Sequence, residues 1–211
     1  MYCCEPKERI VNAALELFGE KGFKATTIRE ICKKADVSLA LVNYHFRNKK
    51  TLYDEIVQAT INEAFDAVSV TDFIKEEMSA EEKLKNAIRL ILHRMIGPKG
   101  LGNSPAKVRI VLMEMTNPTD TMEKIFEKHI SKIIMLISSI VRELTGEVEQ
   151  EKVIRFVSSI AGQCMHPLFA KEILAKSGLT IKSTDEDIEK HAEHIYKFSL
   201  NGIMNYYGEK R

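Results

Sequence analysis

The sequence predicts an all-α protein of about nine helices, a small three-helix unit followed by a larger helical body. Three observations predict it. Apolar residues recur at three- and four-residue spacing along most of the 211-residue chain. Helix-start signals stand ahead of those runs, including the capping boxes Thr27 with Glu30 and Ser79 with Glu82. Glycine and proline mark several ends and starts of those runs, as at Gly97-Pro98, Pro105, Pro118 and Gly146, and no repeat or low-complexity stretch intervenes.

The first helix covers residues 8–18, with Ile10, Val11, Ala14, Leu15 and Phe18 on one stripe. Gly19 and Gly22 lie near its end, where helix C-caps fall. Residues 27–46 then read as two short helices joined by a tight turn. Ile28, Ile31 and Ala35 share one face of the first; Asp36-Val37-Ser38 breaks the pattern; Ser38 caps the second. Val37, Val42 and Phe46 supply the second helix's buried side, so Ser38, Leu39, Ala40, Asn43 and Tyr44 face outward and Leu41 is partly buried. Helices this short are unstable alone, and the first helix must cover them. This is the layout of a helix-turn-helix, which sets its second helix in the DNA major groove.

The body reads as helix after helix. Asn48 caps one running to about Val70, whose Leu52, Ile56, Ala59 and Phe65 can join the DNA-binding core to the body. Residues 65–73 alternate loosely in the manner of a strand, but nothing nearby pairs with them, and helix is preferred. The Ser79 box opens a helix with Leu84, Ala87, Ile88, Ile91, Leu92 and Met95 on one side, and Gly97-Pro98-Lys99-Gly100 ends it. Ser104-Pro105 starts the next. Asn117-Pro118 is expected to start a long helix ending near Leu144, with Gly146 as its stop. Two more follow, over residues 149–176 and 185–207.

Charge is divided unevenly. Residues 21–50 hold eight Lys or Arg against two acids, while the rest of the chain holds 23 basic and 28 acidic residues, so the net +1 hides a basic end and an acidic body. A basic footprint on one small module is the mark of phosphate binding; the plain alternative is a solvated lysine surface on a helical bundle.

The segments Ala13-Ala14-Leu15-Glu16-Leu17-Phe18, Gly22-Phe23-Lys24-Ala25-Thr26-Thr27-Ile28-Arg29-Glu30-Ile31, Val37-Ser38, Tyr44-His45-Phe46 and Asn48-Lys49-Lys50-Thr51-Leu52-Tyr53 follow in order, nearly without gaps. Over about the first sixty residues the chain resembles the TetR-type transcriptional regulators. Glu114-Met115-Thr116-Asn117-Pro118-Thr119 and His166-Pro167-Leu168 are similar to the CerR/YbiH-like branch. The resemblance implies a helix-turn-helix DNA-binding domain over residues 4–50 and a helical effector-binding and dimerisation domain over 51–211. It implies a homodimer on a partly palindromic operator, and repression relieved by a small molecule. Where the family often has Lys-Gly-Thr, this chain has Leu39-Ala40-Leu41, so one lysine contact is missing and reading must lean on shape and apolar contact.

Asn43 is the first choice for direct base readout, because an amide pairs in bidentate fashion with adenine; its alternative is a solvent-facing polar residue. Leu39 and Ala40 suit a thymine methyl, and Ser38 leads their helix. Tyr44, His45 and Lys49 are expected to clamp phosphates, with Thr27 adding its hydroxyl and the amino end of its helix. His45 is otherwise a packed histidine.

A hydrophobic or aromatic effector is expected against Met95, Met113, Phe126, Met165, His166 and Phe169, with Met115 and Met135 of the same character, since methionine and phenylalanine make adaptable walls. Core filling is the bland alternative. His166-Pro167 is expected to kink its helix and free backbone groups beside a cavity. The last two helices are expected to form the dimer surface through Val157, Ile160, Cys164 and Leu168 on one and Ala192, Ile195, Ser199 and Gly202 on the other, or else to face their own core.

Other classes find less support. No phosphate-binding glycine motif, zinc-protease signature or nucleophile elbow occurs, so an enzyme is not expected, nor a cofactor. His191 and His194 lie three apart on a helix without a clear third ligand; no metal site is assigned, and a metal-responsive regulator is a lesser variant. A helical protein-binding adaptor is the alternative from another class. Cys32 and Cys164 sit in apolar helical contexts and read as core; Cys3-Cys4 is the lone adjacent pair. The amino end lacks an apolar signal core, and the longest apolar run, 133–141, is too short to span a bilayer, so a cytoplasmic, reduced protein with no membrane partner is expected.

Overall fold

The computed structural model describes residues 5–146, 149–178 and 182–208; the Cys3-Cys4 pair lies outside them. The described chain is helical, with no strand: α1 Pro6–Ala25, α2 Ile28–Ala35, α3 Leu39–Phe46, α4 Lys49–Asp66, α5 Val70–Phe73, α6 Ala80–Ile96, a 3-10 turn Leu101–Asn103, α7 Pro105–Thr116, α8 Asp120–Ile125, a π-helical segment Phe126–Ile130, α9 Ser131–Thr145, α10 Gln150–Lys176 and α11 Asp185–Gly208.

Caps explain most of the starts. Asn48 Oδ1 accepts from Thr51 N–H at 2.9 Å, Ser104 Oγ from Lys107 N–H at 3.4 Å, and Thr184 Oγ1 from Asp187 N–H at 3.2 Å. Ser79 and Glu82 form a reciprocal capping box. Each cap satisfies a backbone donor and contributes about 1 kcal/mol. Gly97 and Gly146 end α6 and α9, Gly146 at φ 75.

Several expectations are corrected. α1 does not stop at Gly19 but runs to Ala25, with Gly22 at φ 79 as a break inside it. Gly19 is needed for proximity rather than capping: a Cβ there would lie 2.9 Å from Ala106 Cα on α7. The chain does not run helically from Asn48 to Val70; it leaves helix after Asp66 and re-enters it at Ser69, which caps the one-turn α5. Asn117-Pro118 does not begin α8. Glu114, 1 % exposed, accepts from Thr119 N–H at 3.1 Å and Thr119 Oγ1 at 2.8 Å, which holds residues 117–119 in a turn and delays the helix to Asp120. The expected long helix is broken in hydrogen-bond register by the π segment.

Two compact units emerge. The first holds the described chain through Glu63 together with Ser104–Ile125; the second holds Ala64–Asn103 and the described chain from Phe126 onward. In the first, α1 packs on α2, α3 and α7. Its core contains Ile10, Phe18, Ile31, Phe46 and Leu52, all 1 % exposed or less. The buried Tyr53 donates its hydroxyl to Glu114 Oε1 at 2.8 Å, so the Glu114 carboxylate is met by three protein donors. Burial of Tyr53, with the Glu114 bond second, raises its phenol above the ordinary range. In the second unit α6 is the central helix, packed by α9, α10 and α11 and buried along Leu84, Ile88, Leu90 and Leu92. No helix of the described residues is long and apolar enough to cross a membrane.

Candidate nucleic-acid interface

The interface is built within the first unit. α2 opens on a complete capping box: Thr27 Oγ1 accepts from Glu30 N–H at 3.2 Å, and Glu30 Oε2 accepts from Thr27 N–H at 2.9 Å. Lys21 Nζ donates to the same carboxylate at 2.7 Å. The Lys21 ammonium, followed by the Thr27 N–H and hydroxyl, holds the Glu30 carboxyl down at about 2. This corrects the role expected of Thr27. Its hydroxyl and the amino end of α2 already serve Glu30, a negative charge where the phosphate was expected.

α2 ends at Asp36, in left-handed backbone at φ 52 and ψ 57, a conformation that aspartate tolerates better than most residues. Ser38 caps α3, accepting from Leu41 N–H at 3.3 Å. Val42 and Phe46 are buried at 1 % each. Ser38, Leu39, Ala40, Asn43 and Tyr44 are exposed and Leu41 half-buried, as the pattern predicts. Leu39 is 51 % and Tyr44 81 % exposed, a large apolar and aromatic display for a helix anchored on its other side. His45 is half-buried between neighbouring rings, 5.2 Å from Tyr44 and 6.0 Å from Phe46.

The exit from α3 is strained. Arg47 sits at φ 60, ψ −48, and Asn48 N–H donates to Phe46 O at 2.6 Å around it. This three-residue turn is the rarer, higher-energy form, and it sets an exposed arginine beside the outward face of α3.

Lys49 is corrected outright. Its ammonium points inward, donating to Phe23 O and Thr26 O at 2.9 Å each, and lies 4.5 Å from the Phe23 ring centroid. It clasps the start of α4 to the end of α1, where the buried Thr26 donates its own hydroxyl to Leu17 O and Gly22 O. Other lysines are also committed: Lys34 pairs with Glu16, and Lys50 with Asp54 and Asp120. The sequence reading did not single out the cations that remain. Lys24, Arg29, Lys33 and Arg47 are exposed, and none has a carboxylate partner among the described residues. Composition showed the basic surplus, but only the fold sorts paired from unpaired charges.

A capped pair of short helices, an exposed face of mixed polar, apolar and aromatic groups, and unpaired cations around it match what a duplex presents: base edges in the groove and phosphates at its walls. Residues 10–56 match the family model of the bacterial regulatory proteins of the tetR family. Residues 80–203 match that of the C-terminal domain of the HTH-type transcriptional dual regulator CecR. The chain belongs to the TetR family. The probable HTH-type transcriptional regulator YttP of Bacillus subtilis is 27 % identical over 146 residues, 69 % of this chain and 66 % of YttP. The negative regulator IcaR of the biofilm operon icaADBC of Staphylococcus aureus is 38 % identical over 52 residues, 25 % of this chain and 28 % of IcaR. The matched stretch thus spans less than two thirds of either relative. A tetR-family regulatory protein from Rhodococcus RHA1 shares the fold, with a TM-score of 0.66 at 18 % identity over 95 % of this chain and 98 % of that one.

The other predicted sites fare differently. The six effector residues divide between the two units. Met113 stands in the first unit beside Gly22, and the other five are in the second, where Met95 is buried in the α6 core and Phe126, His166 and Phe169 are exposed. α10 continues as helix through Pro167, which is buried, while His166 faces solvent. The dimer stripe is also reassigned. Val157, Ile160, Cys164, Leu168, Ala192, Ile195 and Ser199 are all at most 7 % exposed within their own chain, and only Gly202 of that set is exposed. Periodicity found the buried sides of α10 and α11, which face their own core. Burial also pushes the Cys164 thiol up to about 12, the behaviour of a core residue, whereas Cys32 is half-buried. No three His, Cys, Asp or Glu side chains are grouped to hold a metal among the described residues. His191 is held below its ordinary range by burial, then by His194 and His166.

Proposed function

We propose that this protein is a sequence-specific transcriptional regulator that binds operator DNA as a homodimer in the cytoplasm, acting as a repressor released by a small molecule. The observation that carries the reading is the outward face of α3: Leu39, Ala40, Asn43 and Tyr44 exposed together on a capped, anchored helix. Asn43 reads a base edge, Leu39 and Ala40 meet methyl groups, and Tyr44 and Ser38 reach the backbone, with Arg29, Lys33 and Arg47 taking phosphates in place of Lys49 and Thr27. His45 supports Tyr44 by ring contact. In this reading residues 4–50 read DNA and 51–211 serve effector binding and dimerisation. The narrower placement in a CerR/YbiH-like branch belongs to the same proposal and rests on the two short segments quoted for it.

The dimer surface we propose is the exposed side of the last two helices. On α10, Ile154, Gly162, Phe169 and Ile173 are exposed; on α11, Phe198, Gly202 and Tyr206. A Cβ added at Gly162 or Gly202 meets nothing within 4 Å, so neither glycine is required by its own chain. Glycine costs helix stability of about 1 kcal/mol against alanine. Close approach of a second subunit explains both glycines and the apolar residues around them.

Selection of bound sequences from random duplex DNA tests the reading at fixed salt. Enrichment of a two-fold symmetric site supports the dimeric regulator. Folded protein that enriches no sequence, and binds DNA weakly and without salt dependence, points instead to a helical adaptor.

A further inference from the structure

The second unit contains a cleft of about 410 Å³ that none of the expected effector residues lines. Its walls come from the end of α4 (Phe65, Asp66), the start of α5, α6 (Arg94), the π-helical segment (Lys128, His129) and the first turn of α9 (Lys132). The volume falls within the span of about 300–1,000 Å³ typical of small-molecule sites. A π-helical segment is rare and marks functional sites more often than chance allows.

The charge of this cleft is unusual for an acidic body. Three permanent cations, Arg94, Lys128 and Lys132, face it with a single carboxylate, Asp66. Arg94 decides the chemistry. The residue is 5 % exposed, yet no carboxylate comes within ion-pair distance of it among the described residues. Its Nε and Nη2 donate to Val68 O at 3.0 and 2.7 Å, and Nη2 also reaches Phe65 O at 3.3 Å. No described group accepts from Nη1. The Phe65 ring fixes the arrangement further, its centroid 4.5 Å from the guanidinium carbon and 4.6 Å from the His129 ring centroid.

A purely structural Arg94 would cap the carbonyls at the end of α4, and Nε and Nη2 do so. That role leaves unexplained a buried cation whose acting carboxylate, Asp66, lies beyond ion-pair distance, an unused donor at a cleft, and Lys132 on the same cleft. Burying a charge is costly unless it is paired. We infer that this cleft is the effector site and that its ligand is an organic anion, a carboxylate carried on an aromatic or acyl body. The acid group lies against Arg94 Nη1 with Lys128 and Lys132 at the rim, and the apolar body lies against Phe65. This deepens the regulator reading, since it names the chemical class of the releasing molecule. It also bears on a specific element, because α4 begins with the Lys49 clasp and its last residues, Phe65 and Asp66, line the cleft.

The test uses the full chain without DNA, so it is independent of operator binding. The chain has no tryptophan, so 2-naphthoate can be excited and followed with no indole signal beneath it. Saturable binding of one 2-naphthoate per chain is expected, with the neutral 2-naphthamide weaker by about tenfold or more. The Lys128→Gln/Lys132→Gln pair changes only exposed side chains. It should lose about fivefold or more in naphthoate affinity and leave naphthamide unchanged. Arg94→Lys keeps the charge but not the forked donors and should weaken naphthoate as well. Absence of saturable naphthoate binding, equal affinity for acid and amide, or an unchanged affinity in the double lysine variant would each overturn the inference. Selection of a symmetric duplex by a protein that ignores naphthoate would sink the anion site alone. Naphthoate binding by a protein that selects no duplex would instead remove the regulator reading.

Discussion

Lys49→Met separates two roles for a lysine that sequence alone cannot distinguish. In the structure its ammonium makes two charge-assisted hydrogen bonds of 2.9 Å to Phe23 O and Thr26 O and lies over the Phe23 ring. Methionine keeps most of the aliphatic stem and removes the donors. Bonds to a charged group contribute about 1.5–3 kcal/mol each when buried, and an exposed cation–π contact about 0.5–1 kcal/mol. Lys49 is half-buried and water can reach the freed carbonyls, so each bond falls below that range to about 1 kcal/mol and the loss should be about 2 kcal/mol. With a urea dependence of about 2 kcal/mol per molar, the unfolding midpoint of the DNA-binding unit should fall by about 1 M. The companion assay is the salt dependence of operator affinity. A residue that is not on a phosphate leaves that slope unchanged, whereas a lost phosphate contact flattens it by about 0.9 in log–log terms. An unchanged midpoint with a flattened slope would refute the clasp and restore Lys49 to the DNA.

Four further outcomes are expected. Asn43→Ala should cost about 1–3 kcal/mol at one base pair and little elsewhere, read by comparing affinities across single-base operator variants; a uniform loss would remove Asn43 from base readout. Tyr53→Phe strips one of three donors from the buried Glu114 carboxylate and should cost about 1–3 kcal/mol in urea unfolding, with wild-type stability as the contrary result. Glu30 contributes stability that is complete above its ordinary value near 4.5 and is lost as pH falls toward about 2, because its carboxyl is held down in the folded state. Glu30→Gln should therefore flatten the acid limb of stability over that interval; parallel wild-type and variant curves there would contradict the assignment. Gly202→Leu fills space that is open within its own chain, so the subunit should stay folded while sedimentation shifts from dimer toward monomer; an intact dimer would exclude that face.

The reading head was legible because its information is local. A capping box, a turn residue and a second cap lie within twelve positions, and each needs only its neighbours in sequence to act, so Thr27, Glu30, Asp36 and Ser38 fell where the pattern put them. The assignments that failed depend on residues distant in sequence. In sequence, Thr27 offers a phosphate its hydroxyl and the amino end of its helix, and Lys49 offers a cation just past α3. Only the fold brings Lys21 to Glu30, or Phe23 O and Thr26 O to Lys49. Glu114 looked like part of a short motif, and its purpose emerges only with Tyr53, 61 positions away.

The two helical stripes show the same limit more sharply. A hydrophobic period reports that one side of a helix is buried, but not in what. On α10 and α11 the strongest period marked Ile160, Cys164, Ala192 and Ile195, which the chain buries in itself. The side left for a partner has a weaker period, because an interface that brings backbones together replaces large residues with glycine. His194, Phe198, Gly202 and Tyr206 stand four apart along α11 and are all exposed, yet the glycine removes the apolar residue that would have completed the pattern. The effector cleft was hidden for a related reason. A search for methionine and phenylalanine finds apolar volume, which every core contains. The informative residue is a buried arginine with no carboxylate at ion-pair distance among the described residues, and neither its burial nor that gap is visible until the chain is folded.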